Sequence, residues 1–176
     1  MGYIYEMGDS LRHSDLIAEI YRKFTNAYEA LYLSKTIRPL KDNVSLCYIG
    51  KRSENELVRL ISAEKAMKEN LDLNLLSTIE PDFTLFYKNR YLTNQANTRV
   101  IGIPDLVVEV WSKSNTDDDK TFKKHLYSFA KESWFIEQES NIVECWARNK
   151  RIKDQSLEKT LLTSDNLQID LRHLAL

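Results

Sequence analysis

Residues 102 to 111 read G-I-P-D-L-V-V-E-V-W, a stretch that places a glutamate inside an apolar run. Leu106 to Val110 has the length and the β-branched composition of a strand that is covered on both faces. Side chains alternate across a strand, so Asp105, Glu109 and Trp111 are expected on one face of it. A buried carboxylate is costly unless a cation, a metal or hydrogen-bond donors compensate it. The stretch therefore predicts a central strand with a polar site built into it.

Composition predicts one domain over residues 1–176, because 43% of the residues are hydrophobic and 29% are charged. Lys and Arg number 25 against 26 Asp and Glu, giving a net charge of -1. A nucleic-acid partner would therefore have to meet a local basic patch rather than a global positive field. Two cysteines are too few for a disulfide framework, which favours a cytoplasmic location. No apolar run approaches the roughly 20 residues of a membrane span, so no membrane partner is expected.

The residues ahead of this stretch show clear periodicities. Apolar residues at helical spacing predict a long helix from Leu11 to about Tyr32, with 3–7 ahead of it as a short strand or a loop. The alternating run at 44–49 predicts a strand. A Ser-x-x-Glu capping box at 53–56 predicts a second helix that continues to about Lys68. Residues 83–87, F-T-L-F-Y, predict a strand, and the polar residues 88–100 predict a loop or hairpin arm.

The residues after the stretch predict one helix and further strands. Thr116-Asp117-Asp118-Asp119 is a strong helix start with acids in its first turn. Residues 134–137 and 141–147 predict two strands joined by a tight turn, and 148–156 predicts a mobile loop. Short strands are expected within 157–163 and 167–171. The order of elements predicts an α/β (α+β) fold in which helices flank a mixed sheet.

Acidic residues enter two neighbouring predicted strands. Asp82 follows Pro81 at the start of one strand, while Asp105 and Glu109 belong to the next. Converging carboxylates suit a hard divalent cation, Mg²⁺ or Mn²⁺. The sequence has no Cys and His residues at the spacing of a zinc site, which argues against zinc. Such a cation with a lysine alongside can activate water and neutralise charge on a phosphodiester. The candidate lysines on the predicted helix are Lys120, Lys123 and Lys124.

Each of these residues also has a simpler interpretation. Asp82 after a proline can accept hydrogen bonds from the next backbone N–H groups, and Glu109 can form a buried salt bridge to a helix lysine. Asp119, Lys123 and Tyr127 share a helix face and can be an exposed series with a spacing of four. His13 in the first helical turn is expected to be a cap or a surface residue. Tryptophans 111, 134 and 146 favour the core.

Taken in order, four motifs resemble a known family. They are E-P-D-F at 80–83, P-D-L-V-V-E-V-W-S at 104–112, D-x-x-x-K-x-x-x-Y at 119–127 and E-S-W-F-I-E at 132–137. This series resembles the Uma-two family, a domain family of unknown function within the PD-(D/E)XK restriction-endonuclease-like superfamily. The resemblance implies a restriction-endonuclease-like mixed β-sheet flanked by helices and a Mg²⁺- or Mn²⁺-dependent DNA endonuclease. It further implies Asp82, Asp105 and Glu109 as metal-binding carboxylates in the catalytic site.

The catalytic lysine is the main departure from the superfamily pattern. The superfamily keeps a lysine two residues after the strand glutamate, and here that position holds Trp111. The family pattern offers a lysine on the following helix instead, which matches Lys123, with Lys124 as the alternative. The resemblance implies DNA as the partner and a homodimer, because duplex cleavage needs two active centres. The alternative, favoured by the near-neutral charge, is a catalytically inactive nuclease-like module that binds DNA or a protein.

Overall fold

The helices and strands follow the chain in a mixed order. A computed structural model describes residues 2–30, 37–39, 44–87 and 90–175. Its helices are α1 (Gly2–Ala30), α2 (Ala63–Lys68) and α3 (Asp117–Tyr127), with 3-10 turns at Arg52–Leu57, Leu73–Leu75 and Arg172–Leu174. Its strands are β1 (Ile37–Pro39), β2 (Ser45–Tyr48), β3 (Ser77–Ile79), β4 (Phe83–Tyr87), β5 (Tyr91–Thr93), β6 (Arg99–Gly102), β7 (Leu106–Trp111), β8 (Ser133–Glu137), β9 (Ile142–Ala147), β10 (Lys150–Ser156), β11 (Leu161–Leu162) and β12 (Gln168–Ile169). In these ranges no helix has both the length and the apolar character needed to cross a membrane.

Strand β7 lies inside the larger sheet, which runs in the order β1-β4-β7-β8-β9-β10. It pairs antiparallel with β4, where Phe83 faces Val108, and parallel with β8, where Glu109 faces Phe135. Every residue of β7 is buried. The sheet is mixed and helices cover it, so the predicted fold class is confirmed, as is the prediction of a buried strand at the centre.

The alternation of β7 divides the core into two layers. Val108 and Val110 pack on one face of the sheet with residues of α1, among them Leu16, Ile20 and Phe24. Val107 and Trp111 pack on the other face with α3, whose buried residues are Phe122, Leu126 and Tyr127. Burying each large apolar side chain contributes roughly 1.5–3 kcal/mol. Glu109 has the parity of Val107 and Trp111, and its side chain therefore lies on the α3 face.

Helix α3 forms where the sequence predicts it, because its first turn is well capped. The Thr116 side chain accepts a hydrogen bond from the Asp119 N–H at 3.1 Å. Acidic residues at 117–119 and basic residues in the last turn both complement the helix dipole. The helix joins two parallel neighbours, β7 and β8, and so packs across the sheet beside Glu109.

A second sheet runs in the order β3-β2-β6-β5, and β11 pairs with β12 in a separate hairpin. Strand β2 confirms the strand predicted at 44–49, and β5 with β6 confirms the hairpin arm predicted at 88–100. Ahead of strand β3, residues Leu73–Leu75 form a 3-10 turn that Asp72 caps.

The helix predicted from 53 to 68 forms only over Ala63–Lys68, and the prediction is wrong for residues 53–62. Residues 52–57 form a 3-10 turn, Arg59 then pairs with Ile49 in a β-bridge, and Ser62 caps the short helix α2. The reason lies in the burial pattern, because Val58 and Leu60 are buried while Leu57 is exposed, which is the alternation of an extended chain. This stretch is therefore extended beside Ile49, which follows β2, and its apolar residues do not form a helical stripe.

Two further predictions need correction. Helix α1 begins at Gly2, so the strand or loop expected at 3–7 is part of this helix; its predicted end at 31–32 lies outside the described residues. The loop predicted at 148–156 is mostly strand β10, which pairs antiparallel with β9. Apart from Ile152 its side chains are polar, as suits an edge strand whose backbone has a strand partner on one side.

Candidate active site

Asp82 and Glu109 lie side by side where β4 pairs with β7, and two hydrogen bonds hold their carboxylates. The Asp82 N–H donates to Glu109 Oε2 at 3.2 Å, and the Val110 N–H donates to Asp82 Oδ2 at 2.8 Å. The register that pairs Phe83 with Val108 brings Asp82 beside Glu109 at the next step. Both carboxylates are thus held by backbone groups of the neighbouring strand, which fixes their positions before any ligand binds.

Lys123 completes this group from helix α3. Its Nζ lies 2.6 Å from Glu109 Oε1 and 3.5 Å from Asp119 Oδ2, one turn earlier on the same helix. Lys124 pairs instead with Glu144 of β9 at 3.2 Å, and Lys120 pairs with Glu137 at 3.6 Å. Of the candidate lysines, Lys123 is therefore the one that the structure places beside Glu109.

Asp105 lies outside this group. Its Oδ1 is 3.1 Å from Lys131 Nζ and 4.0 Å from Arg90 Nη1, and its N–H donates to the Leu85 carbonyl at 2.9 Å. Four residues separate it from Glu109, which corresponds to about 13 Å along a strand at roughly 3.3 Å per residue. Alternation gave the right face but not the distance, so the geometry does not favour the expectation that Asp105 shares a ligand set with Glu109.

The electrostatics of the group are dominated by burial. Burial, together with the charge of Asp82, raises the pKa of Glu109 to about 7 although Lys123 works to lower it. Burial also raises the pKa of Asp82. For Lys123 burial works to lower the pKa, but the carboxylates of Glu109, Asp119 and Asp82 outweigh it and the pKa is raised. The site therefore pairs a firmly protonated lysine with a glutamate that titrates near neutrality.

His13 is a member of the site that the sequence interpretation missed. Its Nε2 lies 2.8 Å from the Val110 carbonyl oxygen and 3.7 Å from Asp82 Oδ2. The prediction of a cap or surface residue is wrong, since His13 is half-buried against β7. A signal was present, because His13 is on the helix face of Ile20 and Phe24, seven and eleven residues later.

A polar network surrounds Asp119, the second carboxylate that Lys123 contacts. Asp119 accepts hydrogen bonds from Arg52 Nη2 at 2.8 Å and from Asn115 Nδ2 at 2.6 Å. The Asn115 side-chain oxygen accepts in turn from the Ser112 N–H at 2.8 Å. Burial works to raise the pKa of Asp119, but these donors together with Lys123 lower it. Asp119 is thus an ionised residue with a fixed orientation, and it is not the exposed member of a helix series.

Tyr127 lies one turn beyond Lys123 and is fully buried. Its ring stacks near that of Phe135, with centroids 6.4 Å apart. Among the described residues its hydroxyl has no hydrogen-bond partner, and burial followed by the charge of Glu109 raises its pKa well above 10.0. It therefore faces the carboxylates as a neutral phenol.

The donor set is compatible with a divalent cation of the magnesium type. In the described ranges no three His, Cys, Asp or Glu side chains form a metal-binding group. Asp82 and Glu109 provide two adjacent carboxylates, and Mg²⁺ is commonly held by one or two carboxylates with water and phosphate oxygens completing the shell. Burial raises the pKa of both carboxyls, and for Glu109 the charge of Asp82 adds to this effect; a bound cation would favour the ionised forms of both.

The chain is similar to one protein family in sequence and to a solved structure in fold. The family model Uma2, described as "Putative restriction endonuclease", matches residues 55–175. A solved structure, of "a putative nuclease belonging to DUF820 from Anabaena variabilis ATCC 29413", is similar in fold with a TM-score of 0.60. That match covers 93% of this chain and 79% of the other at 11% sequence identity, so it supports the fold alone. No curated protein matches the chain significantly.

Proposed function

The chain belongs to the Uma2 family of nuclease-like proteins, and from this premise we propose that it is a metal-dependent endonuclease that hydrolyses phosphodiester bonds of DNA. The observation that supports the proposal most is the 2.6 Å contact between Lys123 Nζ and Glu109 Oε1. Lys123 supplies from helix α3 the positive charge that Trp111 cannot supply from the strand. The family match includes this lysine and both carboxylates.

Asp82 and Glu109 would hold the cation, Mg²⁺ or Mn²⁺. When bound, such an ion lowers the pKa of water and offsets the negative charge of a phosphate. Hydrolysis adds one water across a P–O bond: the water oxygen bonds to phosphorus, the bond to one ester oxygen breaks, and that oxygen takes up a proton. The backbone hydrogen bonds that fix Asp82 and Glu109 keep the carboxylates in place during this exchange.

Lys123 stabilises charge in this scheme and does not accept a proton. Its pKa is raised, so at neutral pH the amine remains an ammonium and cannot act as a base. Its charge would stabilise the phosphoryl oxygens as they become more negative in the transition state. Asp119 holds the other side of the ammonium and so limits its rotamers.

Plasmid nicking tests the proposal. Purified protein with Mg²⁺ or Mn²⁺ is expected to nick supercoiled plasmid or cut branched DNA, and Glu109→Ala is expected to abolish both cleavage and divalent-ion binding measured by calorimetry. The matched control is Glu144→Ala, which removes a carboxylate that pairs with a different α3 lysine, Lys124. Absence of cleavage by the wild-type protein on every DNA form, with either ion, would overturn the proposal.

A catalytically inactive module is the second candidate. It is favoured by one observation, that two carboxylates rather than three converge among the described residues. An inactive module would bind no divalent ion, and Glu109→Gln would lower stability alone. Calorimetry on the wild-type protein therefore separates the two candidates before any nuclease assay.

The proposal includes a homodimer, because cutting both strands of a duplex requires two centres. Light scattering of the purified protein measures the mass directly. A monomer that cuts both strands in one binding event would contradict this part of the proposal and leave the chemistry intact.

A further inference from the structure

A line of ion pairs leads from the buried glutamate to the protein surface. Glu109 contacts Lys123 at 2.6 Å, Lys123 contacts Asp119 at 3.5 Å, and Asp119 contacts Arg52 at 2.8 Å. The exposed fraction of the side chain rises along this line, from 4% to 16%, 21% and 53%. Arg52 is therefore the solvent-facing end of the network whose buried end is the candidate active site.

Arg52 is held in place before any ligand binds. Its guanidinium lies over the Phe122 ring, 4.6 Å from the centroid, while Nη2 donates to Asp119. Asp119 is fixed in turn by Asn115 and by the Thr116 cap. A guanidinium has five N–H donors in a rigid fork, and the Asp119 bond uses one Nη2 hydrogen. The remaining donors are oriented without the usual loss of side-chain freedom.

The neighbouring cations on α3 point elsewhere. Lys124 is engaged with Glu144 and Lys120 with Glu137, while Lys123 is turned inward to Glu109. A DNA strand whose scissile phosphate enters beside Lys123 carries further phosphates along the same surface. Because the chain has a net charge of -1, those phosphates must be met by local cations, and arginine suits them best through paired N–H donors.

We propose that Arg52 binds a backbone phosphate of DNA adjacent to the one that is cleaved. The assignment rests on the proposed endonuclease function and names a contact beyond its catalytic group. Arg52 precedes residues 55–175, the segment matched by the family model, so it is a feature of this chain and not of the family match.

Salt-dependent DNA binding tests the assignment. A fluorescein-labelled duplex is titrated by anisotropy in EDTA, where no cleavage occurs, over a series of salt concentrations. Arg52→Gln is expected to weaken binding about tenfold and to reduce the slope of log K against log salt by about one, as the loss of one phosphate contact requires. Arg52→Lys keeps a point charge and is expected to restore most of the slope but less of the affinity.

Arg22→Gln is the matched control. Arg22 on α1 pairs with Glu19 at 2.7 Å and is 54% exposed, so this variant removes the same charge from an equally exposed ion pair. It lies nine residues beyond His13, about 13 Å along the helix at roughly 1.5 Å per residue. Its salt slope is expected to equal that of the wild-type protein.

Steady-state cleavage supplies a second readout. Arg52→Gln is expected to raise KM with kcat nearly unchanged. Equal salt slopes for Arg52→Gln and Arg22→Gln, with a wild-type protein that cleaves DNA, would overturn the Arg52 assignment alone. A drop in kcat without a change in slope would also overturn it, since Arg52 would then act through Asp119 on Lys123. A wild-type protein that neither binds nor cleaves DNA would overturn both the assignment and the proposed function.

Discussion

Two glutamates of this protein are buried to the same degree and are stabilised in opposite ways. Glu109 is 3% exposed and Glu132 is 5% exposed. Glu132 accepts hydrogen bonds from Trp134 Nε1 at 2.9 Å and from the backbone and hydroxyl of Ser164 at 2.9 and 2.8 Å, all neutral donors. Glu109 is held by a lysine and lies against a second carboxylate.

The difference shows that burial alone does not distinguish a structural carboxylate from a candidate catalytic one. Neutral donors around Glu132 tie the 163–167 turn to the start of β8, and nothing in that arrangement calls for a ligand. Around Glu109 the charges do not balance, because two carboxylates face one lysine. Three predictions test whether the site around Glu109 serves catalysis and whether Glu132 serves the stability of the fold.

The largest expected effect is on catalysis. Lys123→Met should reduce the rate of plasmid nicking by about 10²- to 10³-fold, because it removes the charge that the proposed function assigns to stabilising the transition state. Its effect on stability should be small, since Glu109 already titrates near neutrality and can take up a proton when its partner is lost. Lys124→Met, the adjacent lysine that pairs with Glu144, is the control and should retain most of the rate. Equal losses of nicking rate in the two variants would show that Lys123 has no role beyond that of the adjacent lysine.

The next effect is on stability. Glu132→Ala leaves the Trp134 and Ser164 donors without their acceptor and should lower the free energy of unfolding by about 2–4 kcal/mol in urea titrations. Nicking under conditions where the variant is folded should match the wild-type rate. Glu158→Ala, an exposed glutamate ahead of β11, should change stability by less than about 0.5 kcal/mol. A Glu132 variant with normal stability and lost activity would reverse the assignment of the two glutamates.

The smallest effect is on pH dependence. The folded-state pKa of Glu109, about 7, lies above its ordinary value of 4.5, so the folded protein keeps a proton that the unfolded chain releases. The stability from this group is complete below about pH 4.5 and is lost as pH rises through about 7. A divalent ion must displace that proton, so Mn²⁺ affinity should rise by up to about tenfold per pH unit below 7 and then level off.

Calorimetry in two buffers of different ionisation enthalpy measures the released proton. Glu109→Gln should show neither the proton release nor the pH-dependent affinity. Glu132→Gln should keep both, because it lies outside the pair of carboxylates. An affinity for Mn²⁺ that stays constant across this pH range would show that Glu109 does not exchange a proton for the ion.

Local pattern was sufficient to predict the elements that position the site. The apolar run around Glu109 marked β7 as buried, and the acidic, capped start at 116–119 predicted α3. Spacing by four placed Asp119 and Lys123 on one helix face, and the structure pairs them. These features depend on neighbours in sequence, which is why they could be inferred without coordinates.

Contacts between distant segments could not be predicted in this way. His13 reaches Val110 across 97 residues, and Arg52 meets Asp119 across 67, in a segment where a helix was wrongly expected. Strand β10 forms because β9 offers a partner, although its own residues are polar. Asp105 was expected beside Glu109 because they share a strand face, but the four residues between them correspond to about 13 Å, and Asp105 pairs with Lys131 instead.

The hydrogen bond from Asp82 to Glu109 spans 27 residues and that from Val110 to Asp82 spans 28, and both depend on the pairing of β4 with β7. Such pairing closes a long loop and therefore tends to form slowly, whereas the α3 contact of Lys123 is more local. Asp82 and Glu109 consequently come together only when the sheet is assembled. Before that step, Lys123 has no pair of carboxylates beside it. Refolding experiments should therefore find that divalent-ion binding returns with the last cooperative step and not with the early gain of helix.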